Sequence, residues 1–369
     1  VLLYPVYTLL FSDTGLAVWQ ISSLFVIWSV SSMVFEVPSG ALADATSRRR
    51  LLIVGPLLTA VAFGMWVAYP SFWVFAIGFV LWGLKSALTS GALEALVYEE
   101  LQRIDATEKY STLMGRGQSA GVLAAMCSGI VAAPVFAASG FDGVGAVSVT
   151  VSVLAAIAAT LLPENRIRST ADDQSPSWSA ALTSGLAEAR RSPSVMAAVL
   201  LVAVVASVWG ALDEYTPLLI GSTGVDTVDV SLLMVVIWAG AAAGGLLAGR
   251  AARLGSRALA GLLCCAAALM AAGALVHHPA GVVPLAVAFG IFQLTTVVAD
   301  ARLQDSISGP ARATVTSLAG MSTDVATLAI YGSYAALAEI GGHPGAFTAL
   351  MLPYVVVAVF LATRQTERR

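Results

Sequence analysis

Hydrophobic positions in this chain come in long uncharged runs, without the alternation of a half-buried strand or the one-sided stripe of a surface helix. After an apolar opening stretch from Val1 to Phe11, about half a membrane thickness long, the runs lie at 16–35, 51–69, 72–93, 117–139 and 143–162. A second series follows at 194–220, 230–249, 258–276, 280–299, 313–338 and 344–363. Each full run is close to the roughly 20 residues that a helix needs to cross the hydrocarbon core, and so predicts a transmembrane helix. Between the series, Pro163 to Ser192 holds Glu164, Arg166, Arg168, Asp172, Asp173, Glu188, Arg190 and Arg191, which lipid does not tolerate. The pattern therefore predicts an all-α membrane protein of 12 transmembrane helices. Residues 1–162 form an N-terminal six-helix bundle, 163–192 a cytoplasmic linker and 193–369 a C-terminal six-helix bundle. The first helix is read as truncated, its start lying before Val1. Within the linker, Trp178, Ala181, Leu182, Leu186 and Ala189 recur at helical spacing ahead of Arg190 and Arg191. That pattern suits either a short helix on the membrane surface or a solvated tether.

Composition agrees with the pattern. Hydrophobic residues make up 58% of the 369 and charged residues 11%, against about 25% charged in soluble domains. With 19 basic and 22 acidic residues the net charge is -3, too little positive field to neutralise a nucleic-acid backbone. The distribution of charge is more telling than its sum. Arg48 to Arg50, Arg103, Lys109, Arg116, the linker arginines, Arg250, Arg253, Arg257, Arg302, Arg312 and the terminal Arg364, Arg368 and Arg369 all fall in alternate breaks between runs. The other breaks, near Asp13, Tyr69, Asp142, Asp226, His278 and Glu339, hold no Lys or Arg. Basic loops stay in the cytoplasm, so both termini are expected there. Of the 19 basic residues only Lys85 lies inside a run.

Soluble-enzyme chemistry finds little to work with. Cys127, Cys264 and Cys265 sit inside apolar runs and read as small packing residues. His277, His278 and His343 fall in short polar breaks, with no metal-ligand spacing, so no metal or other cofactor is expected. A GxxxxGK[ST] phosphate-binding loop is missing from the sequence, and ATP is not expected as the energy source.

The loop after the second run reads Gly40-Ala41-Leu42-Ala43-Asp44-Ala45-Thr46-Ser47-Arg48-Arg49-Arg50. This resembles the signature of the major facilitator superfamily between helices two and three, in Gly40, Asp44 and the basic cluster from Arg48. Gly40 would let two helices approach closely, while Asp44, with Arg48 and Arg49, would make a breakable latch. After the eighth run the feature returns in weakened form, Gly245, Leu247, Ala248 and Arg253 matching Gly40, Leu42, Ala43 and Arg48, with Gly249 where Asp44 stands. Such a repeat supports two related halves. In the fourth run, Leu81, Lys85, Gly91 and Ala92 fit the superfamily's helix-four motif, with Lys85 where an Arg is usual and Thr89 in place of a Gly. The helix-five motif of drug-proton exchangers is degenerate, since Gly121, Gly129 and Pro134 remain but no Gly precedes the proline.

The resemblance implies a secondary transporter that rocks two halves about a central site, in a multi-pass position in a bacterial cytoplasmic membrane. Its intramembrane acids, Asp213, Glu214 and Asp324, with Lys85, are the candidates for handling protons. Glu36 and Glu94, near cytoplasmic helix ends, read as structural. Trp28, Trp82, Trp209 and Trp238 lie within runs; Trp28, Trp209 and Trp238, with Gln293 and Tyr331, are the candidates to line a substrate cavity. Trp19, Trp66 and Trp73 lie near predicted outer ends, where aromatic belts form. The function expected is proton-coupled export of a small amphiphilic compound; uptake by symport or facilitated diffusion is the alternative, and a membrane-embedded enzyme or a receptor the rivals of another class.

Overall fold

In the computed structural model the described residues are 1–164, 192–251, 253–307 and 312–363, and the side chains of 37, 40–45, 312 and 313 lie outside the description. The expected amphipathic stretch from Trp178 to Arg191 is likewise outside it. Among the described residues all regular structure is helical. The helices are α1 (Tyr7–Asp13), α2 (Val18–Ala45), α3 (Arg48–Ala68), α4 (Phe72–Thr89), α5 (Ala92–Arg103) and α6 (Tyr110–Thr160). There follow α7 (Pro193–Gly221), α8 (Thr227–Ala251), α9 (Ser256–Leu275), α10 (Val282–Ser306), α11 (Arg312–Ala349) and α12 (Leu352–Thr363). Among the described residues, 9 helical stretches are long and apolar enough to cross a membrane.

Two of these stretches contain two sequence-predicted segments each. Gly140 breaks α6 with φ 58 and ψ -151, and Gly342 breaks α11 with φ 63 and ψ -171. That corner of backbone space is essentially reserved for glycine, so one residue reverses the chain without a loop. The fourth segment differs from expectation in the other direction. It stops at Thr89, Gly91 turns through φ 67, and a separate amphipathic α5 follows, burying Leu96 and Leu101.

The chain divides into two compact units, Val1–Gln174 and Ser175–Arg369. In the first, α4 packs on both α2 and α3, and α3 also packs on α6. Its core is aromatic. Tyr7, Phe11, Phe63, Phe75 and Phe79 surround Trp66, whose indole N–H donates to the Phe75 carbonyl at 3.2 Å, and Phe25 packs on Tyr7 and Phe79. Trp66 is fully buried, so it is not a belt residue, whereas Trp19 and Trp73 are exposed as a belt requires. Small residues admit this bulk: a Cβ on Gly78 would meet Trp66 Cε2 at 2.7 Å.

In the second unit α10 packs on α7, α8 and α9, while α11 packs on α7 and α9. The α8–α10 seam is built from Gly240 and Gly244 against Ala286 and Gly290. A Cβ on Gly244 would lie 2.8 Å from Gly290 Cα and closer still to its carbonyl oxygen. Without an apolar driving force in lipid, backbone approach of this kind supplies the packing energy. Cys127, Cys264 and Cys265 are exposed on helix faces and not core packing residues as the sequence suggested, since an uncharged small side chain suits a lipid-facing position equally well.

Candidate functional site

The loop at the start of α3 carries the first cluster. Ser47, extended at φ -74 and ψ 124, caps α3 by accepting from the Arg50 N–H at 3.1 Å. Its hydroxyl donates in turn to Glu164, just beyond α6, and Glu164 Oε1 accepts from the Arg49 N–H at 3.3 Å. An acid from the far end of the unit thereby satisfies N–H groups that the helix start leaves open, at the positive end of its dipole. Partial burial works against the Glu164 charge. The Ser47 hydroxyl, the Arg49 and Arg48 N–H groups and the Arg49 guanidinium outweigh it and hold the carboxyl below its usual range. Arg48 reaches sideways to form an ion pair with Glu99 of α5. Arg49 Nη1 donates to the Leu162 carbonyl at 3.3 Å. Arg48 and Arg49 thus join three helix ends, while the Gly40 and Asp44 side chains lie outside the described residues.

Higher in the same unit, Trp28 of α2 lies 5.7 Å from the Trp82 ring of α4, tilted by 38°. Its indole nitrogen is buried without a hydrogen-bond partner among the described residues. Gly83 brings α2 against α4 here, since a Cβ on it would meet Ser32 N at 2.8 Å. Lys85, half-buried one turn further along α4, has no ion-pair partner within 4 Å among the described residues. Its stem lies beside Gly55 of α3, with Lys85 Cγ 3.5 Å from where a Cβ would stand.

The second unit gathers most of the remaining candidates around α7. Asp213 Oδ1 accepts from the Trp238 indole N–H of α8 at 3.2 Å. Glu214 is buried, and the Tyr331 hydroxyl of α11 lies within electrostatic reach of Glu214, Tyr215 and Asp213. Trp209 donates through its indole N–H to Thr296 of α10 at 3.0 Å. Gln293 covers Gly245, where a Cβ would stand 3.7 Å from its Cγ. Asp324 is exposed on α11, two turns or about 10 Å along the helix from Tyr331. The candidates Asp213, Glu214, Trp238 and Tyr331 therefore come together.

One feature of α7 had no signal in the sequence. The Tyr354 hydroxyl of α12 accepts from the Trp209 N–H at 3.0 Å and donates to the Val205 carbonyl at 3.0 Å. Those two backbone groups would otherwise bond each other, so a side chain is inserted into the helix ladder one turn before Asp213. Phe292, stacked on the Tyr354 ring at 4.2 Å and 18°, holds it there. Sequence reading also passed over Glu99, Tyr215 and Tyr334, took His343 only as a residue of a polar break, and took Glu164 only as a linker charge.

Carboxylates therefore sit among indole and phenol groups inside α7, one of the helices long and apolar enough to cross a membrane. The chain belongs to the Major Facilitator Superfamily, which it matches over residues 1–330. No curated protein matches the sequence. Among solved structures it is similar to the nucleoside transporter NupG, with TM-score 0.76, 14% identity and coverage of 98% of this chain and 94% of that one. A D-xylose-proton symporter gives 0.68, 14%, 97% and 91%. A bacterial homologue of the human lysosomal transporter Spinster, in an inward-facing unoccupied state, gives 0.66, 17%, 98% and 90%. At these identities the likeness is one of fold.

Proposed function

We propose that this transporter couples export of a small amphiphilic compound to proton entry, by antiport. One observation carries the reading: Asp213 and Glu214 are consecutive residues of a spanning helix, Asp213 held by Trp238 and both within electrostatic reach of Tyr331. A carboxylate in low dielectric takes a proton unless water or a cation is present, so proton and cationic or polar substrate would compete for the same pair. In the second unit the aromatic faces of Trp209 and Trp238 would serve the substrate, and in the first Lys85 and Trp28 are the candidates for the same role. The basic loops support a cytoplasmic position for both termini and for 163–192. Cysteines placed at Asp172 and Asp226, in a background lacking Cys127, Cys264 and Cys265, should then be labelled from opposite sides.

Uptake by symport is the second reading, favoured by the D-xylose-proton symporter among the similar folds. The deciding measurement is flux into inverted vesicles under an imposed pH gradient, across a panel of cations, sugars, nucleosides and drugs. Antiport predicts accumulation when the vesicle interior is acid, and symport predicts release under the same gradient. Asp213→Asn should abolish the pH drive while sparing downhill exchange. Flux that ignores the gradient in both the wild type and Asp213→Asn would leave a facilitator, and turnover without translocation would indicate an enzyme.

A further inference from the structure

At the end of the second unit opposite its arginines, α7 and α11 share a cluster that the proposed site does not use. Tyr215 of α7 and Tyr334 of α11 stack with ring centroids 3.5 Å apart and planes at 12°. The Tyr334 hydroxyl meets His343 Nδ1 at 2.7 Å. His343 directly follows Gly342, the glycine at which α11 reverses, and is half-buried while Gly341 and Gly342 are exposed. The imidazole therefore stands at the rim of the helices and the phenol below it. Further in, Tyr331 lies one turn from Tyr334 on the same helix, 6.1 Å from the Tyr215 ring, and within electrostatic reach of Glu214 and Asp213. Imidazole and phenol are unusual partners to bury together for packing alone, because each must keep a polar atom satisfied.

We infer that His343 and Tyr334 form the proton-access station for Glu214 and Asp213 on the side of the membrane opposite the basic loops. The inference rests on the proton-coupling reading of those two acids. His343 takes a proton from water at the rim. Its Nδ1–H is then passed to the Tyr334 oxygen as Tyr334 passes its own proton to the Tyr331 hydroxyl one turn inward, and Tyr331 in turn gives up its proton to the Glu214 carboxylate, the final acceptor. Only N–H and O–H bonds change, and one proton enters for each one delivered. Imidazole suits this place because its charge change falls in the physiological range.

Other groups bear on His343. Glu339 lies on its own helix, and Asp213, Glu214 and Tyr215 come from α7. His277 and His278 follow α9 in a shallow outer hollow that Pro344 also lines. Of these two, His278 Nδ1 accepts from the Ala280 N–H at 3.1 Å and His277 bonds the Leu275 carbonyl at 2.9 Å, so both are engaged with their own turn. His277 is thus a histidine of the same end without the tyrosine contact.

The test uses the full chain in membrane vesicles of known sidedness and dicyclohexylcarbodiimide, which adds to protonated carboxyls in apolar surroundings. Modification of Glu214 and Asp213 is read by mass spectrometry after the pH on one side is stepped from about 8 to about 6. A step on the side opposite the basic loops should raise wild-type modification about fivefold or more. Tyr334→Phe and His343→Gln should each lower that rise to about twofold or less, and His277→Gln should leave it intact. A wild-type rise retained in both Tyr334→Phe and His343→Gln overturns the inference alone, as does a rise seen only on stepping the other side. No rise from either side overturns the coupling reading as well. Size-exclusion profiles identical to wild type establish that the two conservative variants fold.

Discussion

Gly244→Ala tests whether the α8–α10 seam holds the second unit together. The added Cβ would stand 2.8 Å from Gly290 Cα and nearer its oxygen, with Gly240 in similar contact with Ala286 one turn away. Ordinary carbon–oxygen contacts are about 3.3–3.6 Å, so the helices must part by roughly 1.5 Å or more. A gap of that size forfeits more than about half of each atom-pair attraction, itself about 0.1–0.2 kcal/mol. Summed over some tens of pairs along the seam the loss is about 1–3 kcal/mol, the usual range for overpacking. Alanine's helix propensity returns nearly 1 kcal/mol. Gly261 of α9 supplies the control, because a Cβ there meets nothing within 4 Å and only the propensity gain remains. Net of that gain, Gly244→Ala should lower the apparent melting midpoint in detergent by up to about 6 °C at fixed scan rate, with Gly261→Ala unchanged or raised. Equal midpoints for the two variants would refute the reasoning, because they would show that close backbone approach contributes nothing to stability.

Glu164 is held below the ordinary glutamate value of 4.5, so its contribution to stability is fully present above that value and is lost as pH falls through the lower folded value. The stability gap between wild type and Glu164→Gln should therefore close on acidification, as melting midpoints across pH would show; a gap independent of pH would count against the cap. Asp44→Asn should leave expression intact and slow transport severalfold, because it removes a charge from the proposed latch and not from the substrate site; unchanged flux would reduce Gly40 to Arg50 to a topology signal. Tyr354→Phe removes the hydroxyl inserted in α7, leaving the Val205 and Trp209 groups to bond each other; midpoints should move by less than about 1 kcal/mol equivalent while transport rates fall severalfold. Wild-type rates in Tyr354→Phe would make the inserted hydroxyl a passive feature.

The spanning segments were legible because lipid demands uncharged runs of fixed length. Boundaries were less so. The sequence placed breaks near Asp142 and Glu339, but only backbone angles reveal that Gly140 and Gly342 alone make the reversals. Asp213 and Glu214 stood out as charges in an apolar run, and the arginines of the loop as a motif. Their partners did not. Trp238 reaches Asp213 from another helix, and Glu99 and Glu164 reach Arg48, Arg49 and Ser47 across half the unit, through distances no local spacing encodes. Tyr354 was illegible for a further reason: a tyrosine in an apolar run reads as packing until its hydroxyl is seen between two backbone groups that have no other need of it.

The two halves share turn architecture and differ in how their basic loops are fastened. Gly15 and Gly224 take φ 85 and 86 in corresponding positions, as Gly140 and Gly342 take 58 and 63. At the first half's loop the fastening includes acids: Arg48 pairs with Glu99, and Glu164 accepts from the Ser47 hydroxyl and the Arg49 N–H, while the Arg49 side chain itself meets the Leu162 carbonyl. At the second half's loop, Arg302 of α10 donates to the neutral Leu254 carbonyl at 2.6 Å and to Ser256 at 3.5 Å. A contact between opposite charges near water weakens with salt and with protonation, whereas an arginine on a carbonyl has no acid to titrate. Among the described residues the two halves thus share glycine turns, while the acids that meet bonding partners lie at the loop in the first half, where Glu99 and Glu164 sit, and inside α7 in the second, where Asp213 meets Trp238.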